Sequence, residues 1–396
     1  MFAAIDIGLS GMDAYTKGLQ VIANNVANLN TPGFKANTAN FSDMFNNDPG
    51  EIGFSSGGPS SDQTGNGVVF GQSSIDFSQG TLQQTNGDLD LAIQGGGFLV
   101  LQDGAKTLYA RTGSFFVDKD GFISEQGTGF HLAVLSSAGQ PTALNINSDR
   151  TSPPQATTSV TFSDNLSSSG TADTVSSIAV FDSAGAQHTW QVQMAADSQN
   201  PGTWNVTVTD ESGATVGTGT VKFIGSTIDP TTAKLTISTT PKNASPLSVV
   251  LDFSSVTSFS AGTTSTLQVA STDGHALGSL TSITIDGTGQ VKLTYSNNQT
   301  KLEGPVALAD FVNPEALTQQ SGGVFANDAG AKVRLRASGV DGMGTLVSKQ
   351  IEASNVDLSR EFGELILIQR GFQASSQVVS VANDMIQQLF GIRGQG

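Results

Sequence analysis

The sequence predicts a mainly β, nested multidomain chain whose two extremities are α-helices of coiled-coil type, flanking two β domains. Three observations carry that reading. Apolar residues recur every seven positions at both ends, the long middle alternates like strands between tight turns, and a Ser152-Pro153-Pro154 break divides that middle.

From Phe2 to about Leu29 there is no proline, and Ile5, Met12, Leu19 and Val26 lie seven apart. Leu9 and Ala23 fill neighbouring core positions, and Thr16 interrupts that second row. The run stops at Asn30-Thr31-Pro32-Gly33, where proline and glycine terminate a helix. At the other end Leu358, Leu365, Phe372, Val379 and Ile386 repeat the spacing, flanked by Phe362, Ile366 and Leu389. Asn355 and Asp357 stand where capping residues are expected. Each segment therefore reads as an amphipathic helix with a narrow apolar stripe. Such stripes either pair inside one chain or associate between subunits. The second is the expectation, because the intervening residues are strand-like and neither helix has an obvious internal partner. Asn24, Asn25, Asn28 and Asn30 lie on or beside the first stripe, and a subunit interface would supply the hydrogen bonds their amides need when buried.

Residues 31–70 read as loop, with Asn46-Asn47-Asp48-Pro49-Gly50 and Ser55-Ser56-Gly57-Gly58-Pro59. Strands begin near residue 71. Gly96 to Leu101 is a Gly-flanked apolar run, and Phe115 to Ile123 reads as strand, turn, strand. Val175 to Val180, His188 to Met194 and Trp204 to Val208 alternate with one solvated face. Val291 to Tyr295 alternates again before a turn at Ser296-Asn297-Asn298. The simplest organisation pairs 1–30 with 355–396 as a helical domain and makes 31–70 a linking region. It forms one β domain from 71–150 with 290–354 and inserts 151–289 as a second.

Eighteen Lys and Arg face 34 Asp and Glu, for a formal net charge of −16, which repels nucleic-acid phosphates. There is no cysteine, so disulfides, thiolate nucleophiles and cysteine metal sites are excluded. MFAAIDIGLSGM lacks the basic and apolar regions of a cleaved signal peptide, and no run of 18 apolar residues predicts a membrane span.

Catalytic chemistry finds little support. Gly53-Phe54-Ser55-Ser56-Gly57 matches a nucleophile elbow by letter but lacks the strand and helix that the elbow needs. His131, His188 and His275 fall in separate strands without ligand spacing. Asp118-Lys119-Asp120-Gly121 opens like a calcium loop, yet its glycine comes too early, and a turn is expected. No catalytic residue, cofactor or metal site is expected, and the chain reads as a non-enzyme. An extracellular β-rich binding or adhesion module is an alternative, although such a module needs no heptad helices at its ends.

Asn24-Asn25-Val26-Ala27-Asn28 with Thr31-Pro32-Gly33-Phe34-Lys35, and Arg111-Thr112-Gly113-Ser114-Phe115 with Asp118 to Phe122, carry a resemblance to the bacterial flagellar rod and hook family. The resemblance also rests on Ser354-Asn355-Val356-Asp357-Leu358-Ser359, Glu361-Phe362 and Gln369-Arg370-Gly371-Phe372-Gln373-Ala374. The middle, with Tyr295 to Thr300 and Val306 to Phe311, is similar to the hook members in particular. Thr31-Pro32-Gly33 is more typical of rod members, and Asn298 stands where glycine is common. A distal rod-like or secondary hook paralogue is therefore the alternative within the family.

The resemblance implies a self-assembling structural subunit of the extracellular hook, exported without a cleaved signal and polymerised with copies of itself. It implies an inner coiled coil of 1–30 with about 355–392, outer β domains, and a universal joint carrying torque between rod and filament. Implied partners are rod and hook–filament junction proteins, a hook cap and the export apparatus, with no nucleic acid and no membrane insertion. Candidate assembly residues are Ile5, Met12, Leu19, Val26, Leu358, Leu365, Phe372, Val379 and Ile386 as stripe positions. Phe34, Asp357 and Gln369 join them through the matched segments.

Overall fold

A computed structural model describes residues 2–45, 65–240 and 245–393. Helix α1 (Phe2–Ala27) and helix α2 (Leu358–Arg393) bracket a middle whose regular elements, among the described residues, are strands and two short 3-10 helices. The chain forms two compact units, one of Met1–Asn147, Ile283–Lys292 and Leu302–Gly396, the other of Ser148–Ser282 and Leu293–Lys301.

In the first unit, α1 and α2 pack against each other. The strands β1 (Asn37–Thr38), β2 (Phe41–Phe45), β3 (Gly65–Phe70) and β4 (Ser74–Ile75) follow α1, with β1 on β4 and β2 on β3, both antiparallel. The described part of 31–70, expected to be loop, therefore contains strands. Its alternation is too short to read without the partner, since Phe41 pairs with Phe70 across about 30 residues. The Gly53–Gly57 match and the two Pro/Gly stretches lie outside the described residues.

The remaining body of this unit is an antiparallel sheet. Phe98–Asp103 is flanked by Lys106–Ala110 and His131–Leu135, and Thr112–Val117 by Ile123–Glu125 and Asp90–Gln94. Its core is aromatic. Phe98 lies 5.6 Å from Phe77, 5.7 Å from Phe311 and 5.6 Å from Phe325, while Tyr109 meets Phe311 edge-on at 4.8 Å. Tilted and edge-to-face contacts of this kind favour one arrangement over mere collapse.

The second unit is built on a sheet in which Ala172–Phe181, Gln187–Ala196, Thr203–Thr209 and Thr215–Ile224 meander antiparallel. Ser159–Asn165 then lies parallel to Leu247–Thr257. Alternation puts Ile178, Val180, Trp190, Val192, Trp204 and Val206 inside, and Phe162 stacks on Phe253 at 4.5 Å. The hairpin of Gln290–Tyr295 and Thr300–Pro305, expected wholly in the first β domain, carries Leu293–Lys301 into this unit. There the Tyr295 hydroxyl donates to the Asp149 carbonyl at 2.9 Å and Lys301 pairs with Asp149 at 2.5 Å. Asn298 in its turn has φ +61°, the left-handed conformation that glycine tolerates best and asparagine next, which explains the exchange.

One turn device recurs through both units. Asp118, Asp182, Asp210 and Asp286 each accept, through Oδ1, the amides of the residues two and four positions on, at 2.9–3.0 Å. Glycine follows three positions after each aspartate with φ from +80° to +86°. The carboxylate satisfies the turn while glycine supplies the backbone that a side chain would strain. At Asp182, burial works to raise the pKa and is outweighed by hydrogen bonds from His188 and from the Ala186 and Ala184 amides, leaving the carboxyl below its ordinary value.

Two outcomes are expected in unfolding experiments on the full chain. Phe162→Ala should cost about 3–5 kcal/mol, read from urea unfolding, because it leaves a cavity beside Phe253. Asp182 has a lowered pKa, so its contribution is present above the unfolded carboxyl value and is lost as pH falls through the folded one. Asp182→Ala should therefore lower the melting temperature at neutral pH and flatten its fall in acid.

Candidate assembly site

The first unit gathers the sequence segments singled out above around one buried junction. Gly33 donates its amide to the Glu352 carbonyl at 2.8 Å, and at φ +70° a Cβ there would press on Thr112 Cγ2 at 3.1 Å. This seats Phe34 and Lys35 in the interior. The Lys35 ammonium reaches Glu352 Oε1 at 2.7 Å and the Ser78 carbonyl at 2.6 Å, and the Gly80 amide donates to the same oxygen at 2.8 Å. Arg111 Nε lies 3.3 Å from Glu352 Oε2, and its other nitrogens donate to the carbonyls of Ile93, Gly95 and Gly97. Lys35 and Glu352 are fully buried and Arg111 is 3% exposed.

Two cations thus share one carboxylate out of water, and backbone carbonyls take up the excess positive charge. Burial lowers the pKa of both cations, and Glu352 opposes that shift. Thr112 completes the junction by accepting the Glu352 amide at 3.1 Å and donating to Leu91 at 2.7 Å. Sequence reasoning missed Lys35, Arg111 and Glu352 as a set. Lys35 and Arg111 lie inside the family-like segments, but Glu352 lies just outside them, and nothing local marks a charge as buried.

Just beyond, the helices leave as a pair. Asp357 caps α2, accepting the Ser359 and Arg360 amides at 2.8 and 3.3 Å. Asn355, expected as a second cap, instead accepts the Ala36 amide at 2.8 Å and donates to the Asp76 and Ser78 carbonyls, tying down the 34–36 segment. The expectation that neither helix has an internal partner is corrected. Gly8, Gly11, Ala14, Gly18, Ile22 and Asn25 of α1 are buried, and a Cβ added at Gly8, Gly11 or Gly18 would stand within 3 Å of Val379, Ser375 or Ile368. Conversely, a Cβ at Gly371 would strike the Tyr15 ring. Small residues let the two backbones approach closely, and a hydrophobicity count gives such residues no weight.

The predicted stripes flank this seam. Ile5, Met12, Leu19 and Val26 are half-buried at its edge, as are Leu365, Phe372, Val379 and Ile386, whereas Glu361, Ile368 and Ala382 are buried. Leu358 is 38% exposed, and Gln369 and Asp357 are exposed. Three of the four asparagines expected to need a subunit interface find partners within the chain, Asn25 with Asn37 and Glu361, and Asn28 with Asn24, while Asn30 is exposed. The histidines lie apart, His131 beside Ser124, His188 on Asp182 and His275 beside Asn297.

Outside the seam, α2 leaves several large apolar side chains exposed. Phe362, Ile366, Leu367, Val378, Val381 and Met385 are 44–69% exposed, and residues 371–383 contain no charge. At about 100° per residue, Leu358, Phe362 and Ile366 fall on one side of the seam, and Leu367, Val378, Val381 and Met385 on the other. α1 adds Ile7 and Leu9, 38% and 59% exposed. A helix solvated for good would carry charge on such a face.

Replacing Glu352 with leucine should leave Lys35 and Arg111 buried without a counter-charge. The expected cost is about 3–5 kcal/mol, measured by denaturant unfolding of the full chain.

Three family models match the chain. One, flagella basal body rod protein, covers residues 5–35; a second, the flagellar basal body protein FlaE D2 domain, covers 143–275; and a third, the flagellar basal body rod FlgEFG protein C-terminal region, covers 347–392. The flagellar hook protein FlgE of Escherichia coli (strain K12) is 30% identical over 420 residues, spanning 98% of this chain and 100% of its own. That of Treponema pallidum (strain Nichols) is 28% identical, spanning 99% and 100%. The crystal structure of Helicobacter pylori flagellar hook protein FlgE2 overlaps 68% of this chain and 100% of its own, with a TM-score of 0.49 and 12% identity. Matched end to end by these relatives, the chain belongs to the flagellar hook protein family, FlgE.

Proposed function

We propose that the chain polymerises with copies of itself through its paired terminal helices, building the hook as a flexible joint that carries torque from rod to filament. The observation that carries this reading is the set of large apolar side chains that α2 leaves exposed on both sides of the seam, together with its uncharged run 371–383. Two different apolar flanks on one helix suit heterologous, head-to-tail contacts, which generate an open helical polymer where the rotation does not close. Each large apolar side chain buried there contributes roughly 1.5–3 kcal/mol. A handful per subunit, repeated along a polymer, makes a lasting core.

In this proposal 1–30 with 355–396 form the helical core of the polymer, and 31–70 links it to the β regions 71–150 with 290–354 and 151–289. Ile5, Met12, Leu19, Val26, Leu365, Phe372, Val379 and Ile386 hold the helix pair and its edges, and Leu358 belongs to one outer flank. Phe34 and Asp357 set the directions in which the helices leave the junction, and Gln369 lies on the outer surface of α2. Rod and hook–filament junction proteins, a hook cap and the export apparatus are the partners that such a subunit needs. Alignment of hook relatives through residues 143–275 and beyond favours this reading over a rod-like or adhesion role.

Val381 is 52% exposed, so Val381→Asp should leave the circular dichroism of the monomer intact and abolish sedimentable polymer. Normal polymer from that variant would remove the α2 flank from the interface. In a strain lacking the gene, electron microscopy should find complete rods without hooks. Truncated rods would move the role to the rod, and intact hooks with motile cells would contradict the proposal.

A further inference from the structure

Glu361 lies one turn into α2 and is 5% exposed. It is held by one side chain. Asn25 Nδ2 donates to Glu361 Oε1 at 3.0 Å and also to the Asn37 carbonyl at 2.8 Å, while Asn25 Oδ1 accepts the Asn37 amide at 2.9 Å. The Asn25 amide is therefore fully engaged, and α1, β1 and α2 meet at a single carboxyl group. The second oxygen, Oε2, is buried and has no hydrogen-bond partner.

The charges around Glu361 do not compensate it. Arg360, Glu364 and Asp357 act on it from α2 itself, and Arg360 turns its guanidinium to Glu364 at 3.1 Å. From α1 it meets the neutral Asn25 amide, whose other partner is the Asn37 backbone of β1; Lys35 is engaged with Glu352. A carboxylate with one neutral donor and one dry oxygen is poorly stabilised, and the acid form relieves the cost of burying charge. Burial accordingly pushes the Glu361 pKa above its ordinary value, with the Asn25 hydrogen bond opposing.

We propose that Glu361 is a proton-responsive latch: uptake of a proton from solvent on its buried carboxylate tightens the α1–β1–α2 junction, and loss of that proton loosens it. With the folded pKa raised, the stability that this group contributes grows as pH falls through the folded value towards the unfolded one. It is lost as pH rises again through the folded value. The order of the terminal helices, and with it their readiness to assemble, follows pH.

Glu361→Gln tests the latch, because glutamine keeps an acceptor for Asn25 and places an uncharged group where Oε2 lies. Melting midpoints of the full-length, unpolymerised chain are compared from about pH 7.5 down to about pH 4.5, a span that covers an ordinary carboxyl and one raised well above it. The variant should melt above wild type at the upper end and converge with it at the lower end, and Glu364→Gln, which removes the partner of Arg360, should not melt above wild type at the upper end. A difference that is constant with pH, or a variant less stable throughout, overturns the proposal. Should the variant fail to fold, a carbon-13 titration of the Glu361 carboxyl in wild type decides instead: a midpoint above the ordinary glutamate range supports the latch, and one within or below that range overturns it.

Discussion

Lys35 and Arg111 sit out of water, each within 3.3 Å of the Glu352 carboxylate, and the placement of both terminal helices depends on them. Burying such charges is expensive, and the cost is offset only when every donor and acceptor is met at once. That condition recruits Ser78, Gly80, Gly95 and Gly97 from separate loops and makes the Gly33 turn obligatory. The segment after α1 and the segment before α2 are thereby fixed side by side. Apolar packing alone would tolerate small slips between them; a shared carboxylate does not.

From that anchor the helices pair along a seam of small residues. Gly8, Gly11 and Gly18 give up helix propensity, at about 0.8–1 kcal/mol per glycine relative to alanine, in exchange for close approach to Ser375, Val379 and Ile368. Larger residues at those positions would force the helices apart. Asn25 adds a polar contact at one end of the seam, which sets register more than it adds stability. The pair is thus specified as a unit while apolar side chains on its outer flanks stay exposed.

These properties suit a subunit of the flagellar hook family. A joint that bends under load needs a core that does not come apart and surroundings that yield. Tightly seated helices with large apolar side chains exposed along their flanks answer the first need. The β units stand on their own cores, aromatic in one and centred on Trp190, Trp204 and stacked Phe162 and Phe253 in the other. Neither core includes a residue of the helix seam.

The sequence by itself determined the helical ends, the β character of the middle, the Gly-bearing turns and the family. Each of these rests on local periodicity or on short residue runs: a heptad from Leu358 to Ile386, alternation from His188 to Met194, Pro32-Gly33 as a stop. The repeated aspartate turns at Asp118, Asp182, Asp210 and Asp286 carry an equally local mark, since glycine follows each three positions on. Only the tertiary structure decided which helix face pairs internally, that Asn25 is satisfied by Asn37, and that Phe41–Phe45 is a strand. It also decided that Glu352 binds two cations and that Glu361 keeps one oxygen dry. The physical reason is the same in every case. Burial and hydrogen-bond satisfaction depend on residues up to 336 positions away, and glycine or a charge carries no local mark of the close approach or counter-ion that awaits it.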